Sequence, residues 1–178
     1  MPEIIVRDAT DADLPAVAAI YAHHVLTGLA SFEEAAPTVE EMARRRQSVL
    51  ALGAPYLVAE LGGRLVGFAY ANSHRPRPAY RHTLEDSVYV APDSLGRGVG
   101  KALLVALVAR CEQGPFRQMV AVIGDSANAG SVALHAACGF EMVGNLKAVG
   151  FKFGRWVDTV LMQRPLGDGG ATLPPAKG

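Results

Sequence analysis

The run VYVAPDSLGRGVGKALLVALVAR, residues 88–110, decides the fold. Ser87, Val88, Tyr89 and Val90 alternate as a strand does, and Ala91-Pro92-Asp93 turns the chain. Gly96, Gly98 and Gly100 then alternate, and Val99, Leu103, Ala106 and Leu107 recur at helical spacing. The order is strand, glycine-rich turn, helix. Such a turn exposes backbone N–H groups, and the helix start adds a positive partial charge. Both favour an anion, most often a phosphate, and glycine lets it approach closely. A P-loop would place Gly at Leu95 and Ser or Thr at Ala102, so that pattern fails twice. A dinucleotide fingerprint starting at Gly96 would end on glycine at Lys101, and fails too. An ordinary glycine-rich turn is the plain alternative.

Composition narrows the rest. A chain of 178 residues suits one domain with one core, and half of them are apolar. Seventeen basic residues balance seventeen acidic ones. That gives no basic surface for nucleic acid or membrane. The longest apolar run, 102–109, is too short to span a bilayer. Glu3, Arg7 and Asp8 interrupt any signal-like apolar stretch, so the cytoplasm is the expected compartment. Cys111 and Cys138 have neither metal nor redox spacing and read as buried free thiols.

The chain in order reads as follows. Ile4-Ile5-Val6 is a strand. Leu14, Val17, Ala18, Tyr21 and Val25 form one helical face, with Pro15 in the first turn and His23 and His24 solvated beside it. Thr38 caps a second helix with Glu41 in the capping-box position, and Arg44, Arg45 and Arg46 make a solvated face. Residues 56–60 and 65–71 are strands joined through Gly62-Gly63. A Pro- and Arg-rich loop, 72–81, leads to a strand at 83–90. After the helix, 119–123 is a strand, 128–138 a helix, and 140–143 and 151–162 the last strands. Residues 1–166 form the single domain, and the Gly/Pro-rich tail 167–178 is expected to be disordered.

The glycine run resembles the pyrophosphate-binding motif of the GNAT acetyltransferase superfamily, [QR]-x-x-G-x-[GA], with Gly98 and Gly100 at its small positions. Leu95 stands where that motif has Gln or Arg, which leaves Arg97 or Lys101 to compensate. Asn128-Ala129-Gly130-Ser131 and Leu134-His135 to Gly139-Phe140 resemble its second motif, N-x-x-[SA]…L-[YH]-x-x-x-G-F. Asn128, Ser131 and His135 share one helix face, a polar stripe that is either ligand-facing or solvent-facing. Ala129, Val132, Ala133, Ala136 and Ala137 make the apolar face. His at position 135 resembles one subgroup, the phosphinothricin and methionine-sulfoximine N-acetyltransferases. Three further segments resemble the same subgroup: Thr27 to Glu33, Arg75 to Val90, and Val149 to Asp158.

The resemblance implies an α/β (α+β) fold, a mixed sheet of about seven strands flanked by about four helices and splayed between strands four and five. It implies acetyl-CoA in that cleft, bound through Val88, Tyr89, Val90, Leu95, Gly96, Arg97, Gly98, Val99, Gly100, Lys101, Asn128 and Ser131. A thioester is attacked only by a neutral amine, so a base must take a proton. The resemblance makes Glu85 that base, with a salt bridge to Arg77 or Arg81 as the plain alternative. Asp86 points to the opposite face of the strand and is the weaker candidate. A backbone N–H near Val90 would serve the oxyanion, and His135 is the candidate acid for the departing thiolate. Arg75 would clamp the substrate's carboxylate or head group, Phe32 and Glu33 would close the pocket, and Tyr80 would line it. No metal is expected, because the five histidines show no ligating spacing. The implied substrate is a small amino acid or analogue and the implied assembly a homodimer. A non-catalytic acyl-CoA-binding module and an enzyme acetylating a protein N-terminus are the alternatives. A lost base would mark the first, and an amine panel separates the second.

Overall fold

Gly62 and Gly63 both have positive φ, 60° and 78°. That is the backbone of the two-residue turn whose twist suits a hairpin. It joins β2 (Tyr56–Leu61) to β3 (Arg64–Ser73), around which the sheet grows. The computed structural model describes residues 2–176. β1 (Ile4–Asp8) pairs antiparallel with β2, and β4 (Thr83–Val90) pairs antiparallel with β3. β5 (Gln118–Gly124) joins β4 in parallel; β7 (Arg155–Pro165) and then β6 (Glu141–Lys152) complete the order β1-β2-β3-β4-β5-β7-β6. The expected mixed seven-strand sheet and four helices are present: α1 (Leu14–Thr27), α2 (Val39–Ala51), α3 (Val99–Glu112) and α4 (Ala129–Ala137).

The parallel ladder is short. Thr83–Asp86 pair with Gln118–Ala121, and there it stops. Beyond that point β4 stays with β3 as far as Val90, while β5 stays with β7 as far as Gly124. The two halves diverge into a V, as expected between the fourth and fifth strands.

Each face of the sheet carries its own helix. Tyr56 stacks on Tyr70 and Phe68 on Tyr89, at 5.0 and 5.3 Å between ring centroids. Both pairs are joined across strands β2, β3 and β4 by register. Tyr21 of α1 meets Tyr89 edge-on at 5.0 Å, so α1 covers that face. Gly67, one residue from Phe68, points the other way. A Cβ there would lie 3.0 Å from Leu103 and 3.1 Å from Val99, so α3 packs close on the opposite face. α3 buries Val99, Leu103, Leu104, Leu107, Val108 and Cys111.

Several local expectations need correction. β6 does not end at residue 143. It runs to Lys152, and the turn to β7 is Phe153-Gly154, both at positive φ. The strand bulges between Met142 and Gly144 and between Leu146 and Gly150, which breaks the plain alternation of a strand. Asp158 fastens the second bulge by accepting from the Ala148 N–H at 2.9 Å. Arg45 and Arg46 are not a solvated face: Arg45 pairs with Glu33 and Glu41, and Arg46 with Asp11 and the Ala9 carbonyl. Thr38 caps α2 by accepting from the Glu41 N–H, but the Glu41 carboxylate turns to Arg44 and Arg45. Arg117 donates to the Gly169 and Leu173 carbonyls and to the Thr172 hydroxyl, within the segment read as a disordered tail.

One ion pair ties β1 to the start of α1. The Arg7 guanidinium donates to both Asp13 oxygens at 2.8 Å, and the Thr10 N–H and hydroxyl add two more bonds. The Arg7 bonds hold the Asp13 carboxyl well below the usual range, against the cost of burial. A carboxyl with a depressed folded pKa stabilises the fold above its unfolded value of about 3.9 and loses that contribution as pH falls. Asp13→Asn should therefore cost about 1 kcal/mol at neutral pH. The deficit should shrink steadily in urea titrations below about pH 4.

Candidate active site

The V opens where β4 runs into α3. Pro92–Ser94 form a single 3-10 turn, Leu95 is extended, and Gly96 and Gly98 adopt φ of 72° and 83°. Gly98 is the residue before α3, and no side-chain hydrogen bond caps that helix. Its first N–H groups therefore point out of the end of the helix. Gly100 serves packing: a Cβ there would press within 3.3 Å of Leu134 of α4. Leu95, Arg97 and Lys101 are exposed around the loop. Loop backbone, helix end and two cations form an anion-binding mouth.

Inside the V, β4 offers Ser87, Val88 and Tyr89, β5 offers Val122 to Gly124, and α4 offers Asn128, Ser131 and His135. Asn128 caps α4 by accepting from the Ser131 N–H at 3.2 Å. The polar stripe of α4 turns inward, and four of the alanines read as its apolar face (129, 133, 136 and 137) are the exposed ones. The reason is Asp86. Its buried carboxylate lies 2.8 Å from His135 Nε2, while His135 Nδ1 lies 2.7 Å from the Ser131 carbonyl. A carbonyl can only accept, so Nδ1 carries a proton and Nε2 shares one with Asp86. Burial lowers the His135 pKa, but the Asp86 hydrogen bond and charge with the Ser131 carbonyl raise it above the ordinary histidine value. Both ring nitrogens are engaged, so protonating a thiolate would require one of these bonds to break. Asp86 faces away from Glu85 as its position dictates, but it is the buried anchor of this helix rather than a spare base.

Glu85 points to the other face. His74 Nδ1 lies 3.2 Å from its carboxylate. Arg81, one of the two arginines proposed as partners, donates instead to the Pro78 carbonyl. Burial pushes the Glu85 pKa up and the His74 bond pulls it back; the net direction is upward. Glu85, His74 and Arg75 line one cavity of about 560 Å³ with Val122, Thr159 and Leu161 of β5 and β7. That size suits a small ligand. Glu85 also borders a second opening, with Phe32, Ser87, Tyr89 and Thr159. So Glu85 stands between two openings, one lined by Arg75 and the other by Phe32. Tyr80 stands one ring further out, edge-on to His74 at 5.7 Å. Glu33 does not face the pocket. Arg45 grips it with two bonds of 2.7 and 2.9 Å, and the Tyr21 hydroxyl donates to it.

Sequence reading missed His24. It is not solvated: its Nε2–H donates to the Val90 carbonyl at 2.8 Å, and its ring lies 5.4 Å from Tyr89. Burial lowers its pKa, so it is a neutral donor at the rim of the V. Its spacing from Val17 and Tyr21 was the available signal. Among the described residues no group of three or more His, Cys, Asp or Glu side chains could hold a metal ion. Nor, among them, is any helix long and apolar enough to cross a membrane.

A fold split at β4 and β5, with a glycine loop feeding a helix at its mouth, fits the resemblance carried by the sequence motifs, and comparison with known proteins agrees. The model of the acetyltransferase (GNAT) domain matches residues 6–161, and the chain belongs to that family. It is 64% identical over 169 residues to phosphinothricin N-acetyltransferase of Alcaligenes faecalis, covering 95% of this chain and 86% of that one. It is 41% identical over 162 residues to an L-methionine sulfoximine/L-methionine sulfone acetyltransferase of Pseudomonas aeruginosa, covering 89% and 92%. A GNAT superfamily phosphinothricin acetyltransferase from Sinorhizobium meliloti, solved in complex with AcCoA, superposes with a TM-score of 0.94 at 50% identity, covering 97% of this chain and 93% of that one.

The His74 contact yields a pH test. His74 lowers the Glu85 pKa, and the base role expected of Glu85 requires its ionised form. His74→Ala should move the acid limb of the kcat/KM profile to higher pH while leaving the plateau above it nearly intact. An unmoved limb would detach His74 from Glu85.

Proposed function

We propose that this chain transfers the acetyl group of acetyl-CoA to the α-amino group of a small amino acid or analogue, of the methionine sulfoximine, methionine sulfone or phosphinothricin kind, by direct attack in a ternary complex. The observation that carries this reading is Glu85. It is a half-buried carboxylate with a raised pKa, at the foot of the V, bordering a small-ligand cavity that also holds Arg75. A base whose pKa is lifted toward neutrality is better matched to an amine at neutral pH. Arg75 offers a paired-donor fork for a carboxylate or a tetrahedral head group.

In this reading the pyrophosphate rests on residues 96–101, and the pantetheine arm runs down the V beside Val88 to Val90. Asn128 and Ser131 stand on the opposite wall. Glu85, directly or through water, takes the proton as nitrogen attacks the thioester carbonyl. The oxyanion forms near the Val90 backbone, whose carbonyl His24 holds in place. The C–S bond then breaks beside the Asp86–His135 pair. His135 acts there through its charge and placement, and as the acid only if its Asp86 bond opens.

The same reading includes a homodimer. β6 is an edge strand, and Met142, Val143, Leu146, Val149, Phe151, Phe153 and Trp156 stand exposed along it and its turn. An unpaired edge this apolar invites a partner. Val143 and Leu146 also line the Glu85 cavity, so a second copy would close its open side.

One assay tests the reaction: acetyl-CoA with a panel of amino acids, dipeptides and simple amines, following free thiol. Methionine sulfone and phosphinothricin should lead the panel. Glu85→Gln should lower kcat by about two to four orders of magnitude at neutral pH and by less at high pH. Arg75→Ala should raise KM for the amino acid far more than for acetyl-CoA. Wild-type rates in Glu85→Gln across the pH range, or equal use of dipeptides, would overturn the assignment. Light scattering should report a dimer, and Phe151→Asp should shift it toward monomer.

A further inference from the structure

Lys152 is the last residue of β6, and it is only 2% exposed. Its ammonium group donates to three backbone carbonyls: Val25 at 2.7 Å, Gly28 at 2.9 Å and Ser31 at 2.7 Å. An ammonium has three N–H bonds and no acceptor, so every donor is used. Two of the acceptors lie at the C-terminal end of α1. The His24 carbonyl is taken by the Gly28 N–H, which leaves Val25 next in line. The last carbonyls of a helix lack partners and carry its negative partial charge. A buried cation is costly unless fully hydrogen-bonded; here it caps the end of α1.

The third acceptor makes this more than a cap. Ser31 lies beyond the helix, in the segment that carries Phe32. The Phe32 ring lies in a notch made by two glycines, Gly124 of β5 and Gly150 of β6; a Cβ on Gly150 would overlap it. Gly150 and Lys152 share one face of β6. Glu33, the next residue, is fastened to Arg45 and Tyr21. Ala30, Ser31 and Phe32 form one side of the opening that Glu85, Ser87 and Tyr89 border on the other. Nothing in the acetyl transfer described above uses the Lys152 amine, and nothing in it could, because the group is fully engaged.

We infer that Lys152 is a positioning residue for the amine substrate: its ammonium locks residues 28–32 to the β6–β7 hairpin and so sets the wall facing Glu85. The inference rests on the reading that the amine enters beside Glu85. Ala30 of this segment also borders the V, but the anchored residues Val25, Gly28 and Ser31 do not.

The test uses Lys152→Met, which keeps the stem and removes all three donors, and Lys152→Gln, which keeps two. The expected result is a folded protein with acetyl-CoA affinity by calorimetry within about twofold of wild type. Hydrogen exchange of residues 28–32 should be faster, and KM for the amino acid should rise about ten- to a hundredfold, with Lys152→Gln intermediate. Should Lys152→Met fail to fold, Lys152→Gln decides alone. Unchanged KM and unchanged exchange would overturn the inference. So would a parallel loss of acetyl-CoA affinity, which marks a merely structural lysine. If the wild-type protein acetylated no amino acid, the functional reading would fall instead, while faster exchange of 28–32 would still show the lock.

Discussion

β4 has to serve two partners with different loyalties. At its start it is bonded on both sides, to β3 and to β5, and after Asp86 it keeps only β3. Backbone N–H and C=O groups are obligatory hydrogen-bonding groups, so the free side of Ser87 to Val90 must be satisfied by something other than a strand. That single constraint places the glycine loop at the end of the free edge and α4 across the gap. On the reading proposed above, the amides of the pantetheine arm supply the missing partners, much as an added strand would. On that reading the cleft is a sheet with one position left open.

The period of two along β4 divides the chemistry. Glu85 and Asp86 are neighbours in sequence, yet one looks into a small-ligand cavity and the other into the core, against α4. Their surroundings differ: Glu85 keeps an exposed side and one histidine bond, while Asp86 is sealed against His135. Two carboxylates on one strand are therefore committed to different partners. The buried pair fixes α4 at the point where the sheet splits, so the wall that carries Asn128 and Ser131 is held at the vertex.

The fold was legible because its signals are local. Gly62-Gly63, Pro15, the 96–100 glycines and the helical spacing of Val99, Leu103 and Leu107 each determine a backbone conformation on their own. The β6 boundary was not, because two bulges interrupt the strand's period and one is held by Asp158 of the next strand, which accepts from the Ala148 N–H. The site divides in the same way. Glu85 shares one cavity with Arg75 and a second opening with Phe32, all three from segments the motifs singled out. Glu33 and Arg45, His24 and the Val90 carbonyl, and Asp86 and His135 are pairs between distant segments, so Arg45 and His24 read alone default to solvent, and Glu33 and Asp86 read alone lack their partners. Helical spacing located the stripe on α4 but not its direction, since only the position of Asp86 decides which way it faces.

Trp156 is the chain's one tryptophan, and it stands at the outer tip of the β6–β7 hairpin, 67% exposed and edge-on to Phe151 at 5.1 Å. The core is instead built on tyrosines and Phe68. The intrinsic tryptophan emission of this protein is consequently a surface signal. It says little about whether the core is intact, because the indole is already in water when the chain is folded. It says a good deal about the edge strand: anything that settles over the hairpin must first dehydrate that ring and shift its colour to the blue. The molecule carries its own optical label beside one open edge of its sheet.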